Sequence, residues 1–317
     1  MADVLVTRAF YPTSMARLAE QHTLHRLDEA TDRAAFLQEV GPRIEAVIGS
    51  AGVDAALIQA LPNLRLIACV AVGYDNIDVA AATARRIIVT NTPDVLTDSV
   101  ADLGLALILA TERRIVAADA FVRRGDWLRG AFPFTRHLRG LTLGILGLGR
   151  IGLAIAARAE AFGMRVEYSN RRQRTDVAYP YHVDALSLAH ASDVMLLTIP
   201  GGAETRHAVT DEVLRALGPQ GTLINIARGS VVDEAALVRC LLDGSLGAAA
   251  LDVFDREPDM PRELFALDQV VLTPHVGSAT HATREAMGDL AVQNVLAGLG
   301  GQPALTPVAE SAGLPPR

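Results

Sequence analysis

The sequence predicts an α/β protein of two domains, each built around a parallel β-sheet. Short apolar segments alternate with segments of helical spacing along most of the 317 residues, as expected when helices connect parallel strands. A chain of this length usually forms two domains or one large α/β unit, and half of its residues are hydrophobic, which suffices for sizeable cores. A glycine-rich turn near the middle of the chain identifies the type of the second domain.

That turn joins a predicted strand to a predicted helix. The apolar run Leu141–Leu146 is typical of a strand buried on both faces, and Ile151–Met164 has alanine-rich helical spacing. Between them, Gly147, Gly149 and Gly152 form the pattern G-x-G-x-x-G. The first glycine permits a tight turn, the second leaves room for a pyrophosphate, and the third lets helix and strand pack closely. The pattern predicts a Rossmann-like domain with a dinucleotide at the helix N-terminus, and an ordinary βα turn is the weaker alternative.

Composition and charge restrict the function classes. The formal net charge is −7 and the pI about 5.6, which argues against a nucleic-acid-binding surface. Only Cys69 and Cys240 are present, far apart in sequence, so neither a disulfide framework nor a metal site is expected. Asp3 interrupts any apolar signal segment, and no apolar run reaches the roughly 18 residues of a membrane span. We expect a cytoplasmic protein without a membrane partner.

The N-terminal part is predicted to form the smaller domain. Its expected strands and helices are Asp3–Thr7, Pro12–His22, Ala46–Gly49, Asp54–Ala60, Leu66–Val70 and Ile87–Thr90. Between the last two strands, the loop Val72–Asp78 starts at a strand end. It is either a plain βα loop or a nest of backbone N–H groups that binds an anion, at the edge where open sheets bind ligands.

The two predicted domains are joined by a linker and a helix. Pro93–Thr97 is expected to end at a helix N-terminus with Thr97 or Asp98 as the N-cap. Val100–Ala118 is long and apolar, and is expected to form one buried helix. The segment Arg123–Phe134 contains the only tryptophan, and it is either a subunit contact or a loop folded on its own surface.

The second domain is expected to continue after the glycine motif with further strands and intervening helices. These strands are Arg165–Ser169, Asp193–Pro200, Thr222–Ala227, Ala248–Asp252 and Val270–Thr273. The last helix, Thr283–Ala297, is expected to return the chain to the N-terminal domain. The expected domains are therefore a discontinuous, flavodoxin-like substrate domain, residues 1–96 and 284–317, and an inserted cofactor domain, residues 97–283.

Three polar side chains follow strands of the second domain, where open parallel sheets bind ligands: Arg228, Glu257 and His275. Hydride transfer to a ketone leaves an alkoxide, which a histidine can protonate. A carboxylate beside the histidine fixes its ring, and an arginine holds a substrate carboxylate through two parallel hydrogen bonds. Taken singly, each has an ordinary alternative as a surface ion pair, a solvated turn residue or a structural histidine. As a set at successive strand ends, they indicate this chemistry.

With these residues the chain resembles the D-isomer-specific 2-hydroxyacid dehydrogenase family over nearly its whole length. The matching segments are Val72–Asp78, Gly147–Gly152, Asn225–Gly229, Ala250–Pro258 and Thr273–Ser278. The resemblance implies that Arg228 anchors the substrate carboxylate, that Glu257 is the partner of His275, and that His275 is the general acid/base. It also implies that backbone N–H groups of Val72 and Gly73 bind the substrate carboxylate, and that the protein is a homodimer formed through the cofactor domains.

Cofactor contacts are expected from the glycine motif and from the resemblance, which places Ala227, Asp252 and Gly277 beside the nicotinamide. The expected cofactor-binding residues are Gly147, Leu148, Gly149, Arg150, Ile151, Gly152, Ser169, Asn170, Arg171, Arg172, Ile199, Pro200, Thr205, Ala227, Asp252 and Gly277.

The end of the second Rossmann strand predicts which dinucleotide is preferred. NAD-dependent proteins place Asp or Glu about 20 residues after the glycines, where the carboxylate binds the ribose hydroxyls. Here Asn170 takes that place, preceded by Ser169 and followed by Arg171 and Arg172. Amide and hydroxyl groups donate to a phosphate and guanidiniums pair with it, so NADP(H) is the expected cofactor, with NAD(H) as the second choice. In the alternative, these arginines and Arg174 form a solvated basic turn.

Within the family, Pro200–His207 and Tyr168–Arg172 are similar to the NADP-dependent glyoxylate/hydroxypyruvate reductase branch. The expected reaction is the reduction of short 2-oxoacids to D-2-hydroxyacids. Hydroxyphenylpyruvate reductases are also similar here, so phenylpyruvate-type and other 2-oxoacids are the alternative substrates. The rival interpretation is a non-enzymatic, cofactor-sensing protein like the corepressor relatives of the family, and the acidic charge favours the enzyme.

Overall fold

The computed structural model describes residues 1–315, which form two compact units. The first unit contains Met1–Leu96 and the chain from Ser278 onwards, and the second unit is Thr97–Gly277. The second change of unit lies just before a helix that begins at His281, whereas the boundary predicted from the sequence lies between residues 283 and 284, inside that helix. Both units contain a parallel sheet, and the predicted α/β fold class with two Rossmann-like sheets is confirmed.

The first unit is built on a five-stranded sheet. Its strands are β1 (Asp3–Val6), β2 (Thr23–Arg26), β3 (Ile44–Gly49), β4 (Leu66–Cys69) and β5 (Ile88–Thr90). They pair in the order β2-β1-β3-β4-β5, all in parallel. Strands β4 and β5 are buried along their whole length, as their continuous apolar sequences require. The connecting helices are α1 (Pro12–Ala19), α2 (Arg33–Val40), α3 (Ala55–Ala60) and α4 (Val79–Ala84).

The second unit is built on a seven-stranded parallel sheet in the order β12-β11-β10-β9-β6-β7-β8. In chain order its elements are α5 (Thr97–Glu112), α6 (Ile115–Arg123), β6 (Thr142–Leu146), α7 (Arg150–Ala161), β7 (Arg165–Ser169), β8 (Tyr181–His182), α8 (Ala185–Ala191), β9 (Val194–Leu197), α9 (Asp211–Leu217), β10 (Thr222–Asn225), α10 (Glu234–Asp243), β11 (Ala248–Leu251) and β12 (Val270–Leu272). The strand order reverses between β6 and β9, and ligands bind at such a reversal, outside the carboxyl ends of the strands.

The last helix, α11 (His281–Leu299), belongs to the first unit. It packs against α1, β3 and β4, and Ser14 in α1 donates a hydrogen bond to Asp289 in α11 over 2.6 Å. The segment after α11 runs along the edge strand β5, where Thr90 and Pro307 form an antiparallel bridge. The end of the described chain therefore covers the edge of this sheet, a place where unpaired backbone groups would otherwise be exposed.

The prediction of a single helix over Val100–Ala118 is wrong. The helix breaks after Glu112, because Arg114 has a left-handed backbone with φ of 49°, and a second helix begins at Ile115. Neither glycine nor proline marks this break in the sequence. The predicted N-cap is wrong as well, because Thr97 and Asp98 are the first two residues of α5 itself.

Several short elements were not predicted from the sequence. Strand β2 lies at a sheet edge and is only partly buried, so its sequence lacks the apolar run that marks the central strands. Helices α2 and α4 are short, and aspartates cap both: Asp32 accepts from the N–H of Ala35, and Asp78 accepts from the N–H of Ala81. Among residues 1–315, no helix is long and apolar enough to cross a bilayer.

Candidate active site

The three glycines of the dinucleotide motif have different surroundings. A Cβ atom at Gly147, where φ is 104°, would lie 2.8 Å from the backbone nitrogen of Ile199. A Cβ atom at Gly152 would lie 2.6 Å from the carbonyl oxygen of Gly147, so this position also requires glycine. At Gly149, by contrast, a Cβ atom would meet nothing within 4 Å. The first and third glycines are therefore needed by the fold, and the second faces open space.

The N-terminus of α7 adds hydrogen-bond donors to this open space. The first intrahelical hydrogen bond runs from the N–H of Leu153 to the carbonyl of Gly149 over 2.9 Å. The N–H groups of Ile151 and Gly152 therefore have no acceptor within their own helix. Room at Gly149 together with these N–H groups fits a phosphate of a dinucleotide.

Residues after β7 hold the glycine turn from the side. The N–H of Leu148 donates to the side-chain oxygen of Asn170 over 2.7 Å, and the carbonyl of Leu148 accepts from Nη1 of Arg174 over 2.9 Å. Arg174 also pairs with Asp176. Asn170 therefore supports the turn through its oxygen and keeps its amide nitrogen for other contacts. Arg174 therefore stabilises the glycine turn, whereas the alternative of a solvated basic turn assigned it no contact with the protein.

The other residues expected near the adenosine ribose are placed differently. Ser169 is buried at the end of β7. Arg171 is 90% exposed and its Nη1 atom lies 3.5 Å from the equally exposed carboxylate of Glu204. Arg172 is exposed next to it. The structure therefore places two guanidiniums in solvent at the end of the second Rossmann strand.

The loop after β9 contains the remaining expected contacts on this side of the sheet. Ile199 packs against the turn at Gly147, and Pro200 follows it at the surface. The hydroxyl of Thr205 donates to the carbonyl of Pro200 over 2.7 Å, which closes this loop. These residues therefore border the crevice where the strand order reverses.

The two residues expected to act as general acid/base and its partner are in contact at the other half of the same sheet edge. Nδ1 of His275 lies 2.7 Å from Oε2 of Glu257. The second carboxylate oxygen of Glu257 accepts from the N–H of Phe254 over 3.1 Å, so both oxygens of Glu257 are bonded. His275 has a left-handed backbone with φ of 53°, and its side chain is about half exposed. The imidazole is thus fixed at one nitrogen and accessible to a ligand.

The His275 turn is held by Asp252 at the end of β11. This carboxylate is only 2% exposed. Its Oδ1 atom accepts from the N–H of Val276 over 2.9 Å and from the hydroxyl of Thr273 over 2.6 Å, and its Oδ2 atom accepts from the N–H of Gly277 over 3.0 Å. Asp252, expected beside the nicotinamide, therefore also fixes the backbone on both sides of His275.

Arg228 lies at the end of the neighbouring strand β10, in a turn that Asn225 organises. The side-chain oxygen of Asn225 accepts from the N–H of Ala227, and its amide nitrogen donates to the carbonyl of Arg228, both over 3.0 Å. A Cβ atom at Gly229 would lie 1.8 Å from the carbonyl carbon of Phe254, so this turn packs directly on the loop that leads to Glu257. The role of Asn225 was not predicted from the sequence, although an Asn at a predicted strand end was a usable signal.

A further carboxylate braces the loop of Glu257. Glu234, the first residue of α10, accepts from the N–H of Asp255 over 3.3 Å. Burial raises the pKa of the Glu234 carboxyl above its usual range. Since strands β10, β11 and β12 are neighbours, Arg228, Glu257 and His275 follow three adjacent strands of one sheet.

Val72 and Gly73 belong to the first unit, in the loop that follows β4. The carbonyl of Val72 accepts from the side-chain amide of Asn91 over 2.8 Å. Among residues 1–315, the N–H groups of Val72 and Gly73 have no protein acceptor. The structure therefore leaves two adjacent backbone donors at the carboxyl end of a central strand, as an anion-binding nest requires.

The fold and this site define a dinucleotide-binding oxidoreductase. Residues 105–277 match the model of the D-isomer specific 2-hydroxyacid dehydrogenase NAD-binding domain, and the chain belongs to this family. It is 48% identical to glyoxylate/hydroxypyruvate reductase A HPR2 of Arabidopsis thaliana over 92% of this chain and 94% of that relative. It is 50% identical to a hydroxyphenylpyruvate reductase of Plectranthus scutellarioides over 86% of this chain and 88% of that relative.

A solved structure of the same family is also similar. It is an NADPH-dependent glyoxylate/hydroxypyruvate reductase from Sinorhizobium meliloti, in complex with NADP and malonate. The TM-score is 0.94 at 44% sequence identity, and the match covers 100% of this chain and 98% of that chain. The predicted family, and within it the similarity to the glyoxylate/hydroxypyruvate reductase branch, are confirmed.

The glycine turn gives a testable contrast between two of its positions, Gly149 and Gly152. Gly152→Ala forces a methyl group against the Gly147 carbonyl and is expected to destabilise the protein by about 1–3 kcal/mol. Gly149→Ala meets no protein atom, so its free energy of unfolding should stay within about 0.5 kcal/mol of the wild type. It should still weaken NADPH binding by about tenfold or more, because the methyl group fills the phosphate space. Urea unfolding measures the free energy of unfolding of each variant, and fluorescence titration measures its Kd for NADPH. Equal effects of the two substitutions on stability would contradict the conclusion that the fold requires glycine at 152 but not at 149.

Proposed function

We propose that this protein reduces glyoxylate and hydroxypyruvate with NADPH, and that hydroxypyruvate gives the D-2-hydroxyacid. The observation that carries the proposal is the 2.7 Å contact of His275 with Glu257, at the same sheet edge as Arg228. Glu257 follows β11 and His275 follows β12, and β11 is the neighbour of the strand that Arg228 follows. This arrangement combines a proton donor with a carboxylate anchor, as the reduction of a 2-oxoacid requires. The identity to reductases of glyoxylate and hydroxypyruvate supports these substrates.

In this mechanism, each residue has one task. The guanidinium of Arg228 binds the substrate carboxylate, assisted by the N–H groups of Val72 and Gly73. Because Nδ1 of His275 is bonded to Glu257, Nε2 is the ring nitrogen that donates a proton to the substrate oxygen. Glu257 stabilises the protonated ring and holds its orientation. When bound, NADPH supplies the hydride.

The 2′-phosphate of NADPH is proposed to bind at the end of β7. Arg171 and Arg172 are exposed there, and the amide nitrogen of Asn170 is the remaining donor of a side chain whose oxygen holds Leu148. Two guanidiniums and an amide offer charge-assisted hydrogen bonds to a phosphate and repel no part of it. The turn Gly147–Gly152 is proposed to bind the pyrophosphate, and Ile199, Pro200 and Thr205 are proposed to line the cofactor crevice. Ala227, Asp252 and Gly277 are proposed for the nicotinamide end.

A second candidate function is the reduction of hydroxyphenylpyruvate. The observation that favours it is the 50% identity to the Plectranthus scutellarioides enzyme of that name. This reaction would use the same catalytic residues, so only the preferred side chain of the 2-oxoacid distinguishes the two candidates.

We also propose a cytoplasmic location, from the reduced state expected of the two free, buried cysteines of this protein.

The protein is further proposed to be a homodimer formed through the second unit. The segment after α6 exposes Trp127 by 68% and Leu128 by 92%, and Phe134 is fully exposed. Several large apolar side chains exposed in one short segment are typical of a protein–protein contact. The second copy of this chain is the proposed partner.

The proposed reaction is tested with a panel of substrates and both cofactors. We expect NADPH oxidation with glyoxylate and hydroxypyruvate at higher kcat/KM than with phenylpyruvate, and NADPH should exceed NADH by about tenfold or more in kcat/KM. Asn170→Asp with Arg171→Ala should erase or reverse the cofactor preference, because repulsion replaces an ion pair. The new carboxylate still accepts from Leu148, so the fold is kept. Equal kcat/KM for the two cofactors in the wild type would contradict the phosphate site.

The proton donor is tested by substitution of His275. His275→Asn should lower kcat for glyoxylate by about 10²–10⁴-fold, the usual contribution of general acid catalysis. NADPH affinity should not change, because His275 is not proposed to bind the cofactor. His190→Asn, which alters an exposed histidine at the end of α8, is the matched control and should keep full activity. Undiminished turnover by the His275 variant would remove His275 from the mechanism.

The dimer contact is tested by light scattering. Trp127→Glu with Leu128→Glu places two charges in the proposed apolar contact and should reduce the molar mass from that of a dimer to that of a monomer. Phe265→Glu introduces a charge at another exposed aromatic residue of the second unit and should leave the dimer intact. The proposed contact would be refuted if the wild type is a monomer, or if Phe265→Glu dissociates the dimer as the Trp127/Leu128 double variant does.

A further inference from the structure

We propose that Asn91 is a positioning residue for the substrate loop Val72–Asp78, and that the segment 305–311 after α11 holds Asn91 in place. The inference rests on the proposed function, because it assumes that the N–H groups of Val72 and Gly73 bind the substrate carboxylate. It assigns a role in substrate binding to residues that contribute no atom to the proposed catalytic set.

The direct contact is a hydrogen bond from the side chain of Asn91 to the backbone of the loop. The amide nitrogen of Asn91 donates to the carbonyl of Val72 over 2.8 Å. In a planar trans peptide, the carbonyl of one residue and the N–H of the next point in opposite directions. Fixing the Val72 carbonyl toward Asn91 therefore directs the N–H of Gly73 away from Asn91, to the side where it has no protein acceptor among residues 1–315.

Asn91 is itself fixed from the segment after α11. The hydroxyl of Thr306 donates to the carbonyl of Asn91 over 2.6 Å, and the N–H of Asn91 donates to the carbonyl of Thr306 over 3.2 Å. Thr306 in turn is held by Asn294 of α11, which is fully buried. The amide nitrogen of Asn294 donates to the Thr306 hydroxyl, and its oxygen accepts from the N–H groups of Leu305 and Thr306. A buried polar network in which these groups are paired is rigid.

Two further contacts hold the loop and its start, one from the same segment and one from the residue after Asn91. The hydroxyl of Tyr74 lies 3.3 Å from the carboxylate of Glu310. The N–H of Thr92, next to Asn91, donates to the carbonyl of Ala71 over 2.9 Å. The loop is therefore held at Val72 and Tyr74, and just before its start at Ala71, by residues that follow β5 or α11. All these contacts lie within the first unit, so their loss should affect the substrate and leave the cofactor site unchanged.

Asn91→Asp tests the proposal most directly. The substitution keeps the shape of the side chain but replaces the donor with an oxygen that repels the Val72 carbonyl. We expect KM for glyoxylate and hydroxypyruvate to rise by about fivefold or more, while kcat changes less than KM and the Kd of NADPH stays within about twofold. Thr306→Val, which removes the hydroxyl that donates to the Asn91 carbonyl and accepts from the Asn294 amide, should shift KM in the same direction by a smaller factor.

Asn63→Asp is the matched control. Asn63 also lies in the first unit and its amide nitrogen donates to a backbone carbonyl, that of Pro42, over 2.7 Å. It should leave KM unchanged. Wild-type-like KM in Asn91→Asp would overturn the proposal, and so would an equal rise in the Kd of NADPH. A wild-type protein that reduces no 2-oxoacid would refute the proposed function, whereas an active wild type with unaffected Asn91 variants would refute only the positioning role.

Discussion

The candidate active site depends on the buried carboxylate of Asp252. A charged group that is only 2% exposed is costly unless hydrogen bonds compensate the lost water, and here two backbone N–H groups and the Thr273 hydroxyl do so. These bonds fix the turn that carries His275 in a left-handed backbone conformation. Glu257 then meets a histidine whose backbone is already in place, so the pair is preorganised before any ligand binds.

Much of this arrangement could be predicted from the sequence because it follows from strand ends. Arg228, Glu257 and His275 come after predicted strands, and parallel strands bring their carboxyl ends to one edge. The glycine turn was predictable for a different reason, because each of its three glycines has its own steric requirement. The family was predictable from five segments, and the comparisons confirmed it.

The contacts that hold the site in place were harder to predict, because they join residues that are distant in sequence. Nothing near Asn170 shows that its oxygen accepts from Leu148, and nothing near Asn91 shows that Thr306 fixes it. The break between α5 and α6 was missed because a left-handed arginine, and not glycine or proline, interrupts the helix. For both asparagines, contacts with residues distant in sequence decide which groups are paired, and the hydrophobic periodicity does not encode such contacts.

The central claim is that Glu257 and His275 act as one unit. It is tested most directly by a double-mutant cycle in kcat/KM for glyoxylate, with Glu257→Gln, His275→Asn and the double variant. Glu257 is proposed to act only through His275, so the double variant should be no slower than His275→Asn alone. Losses that multiply in the double variant would show that the two residues contribute independently and would contradict this account.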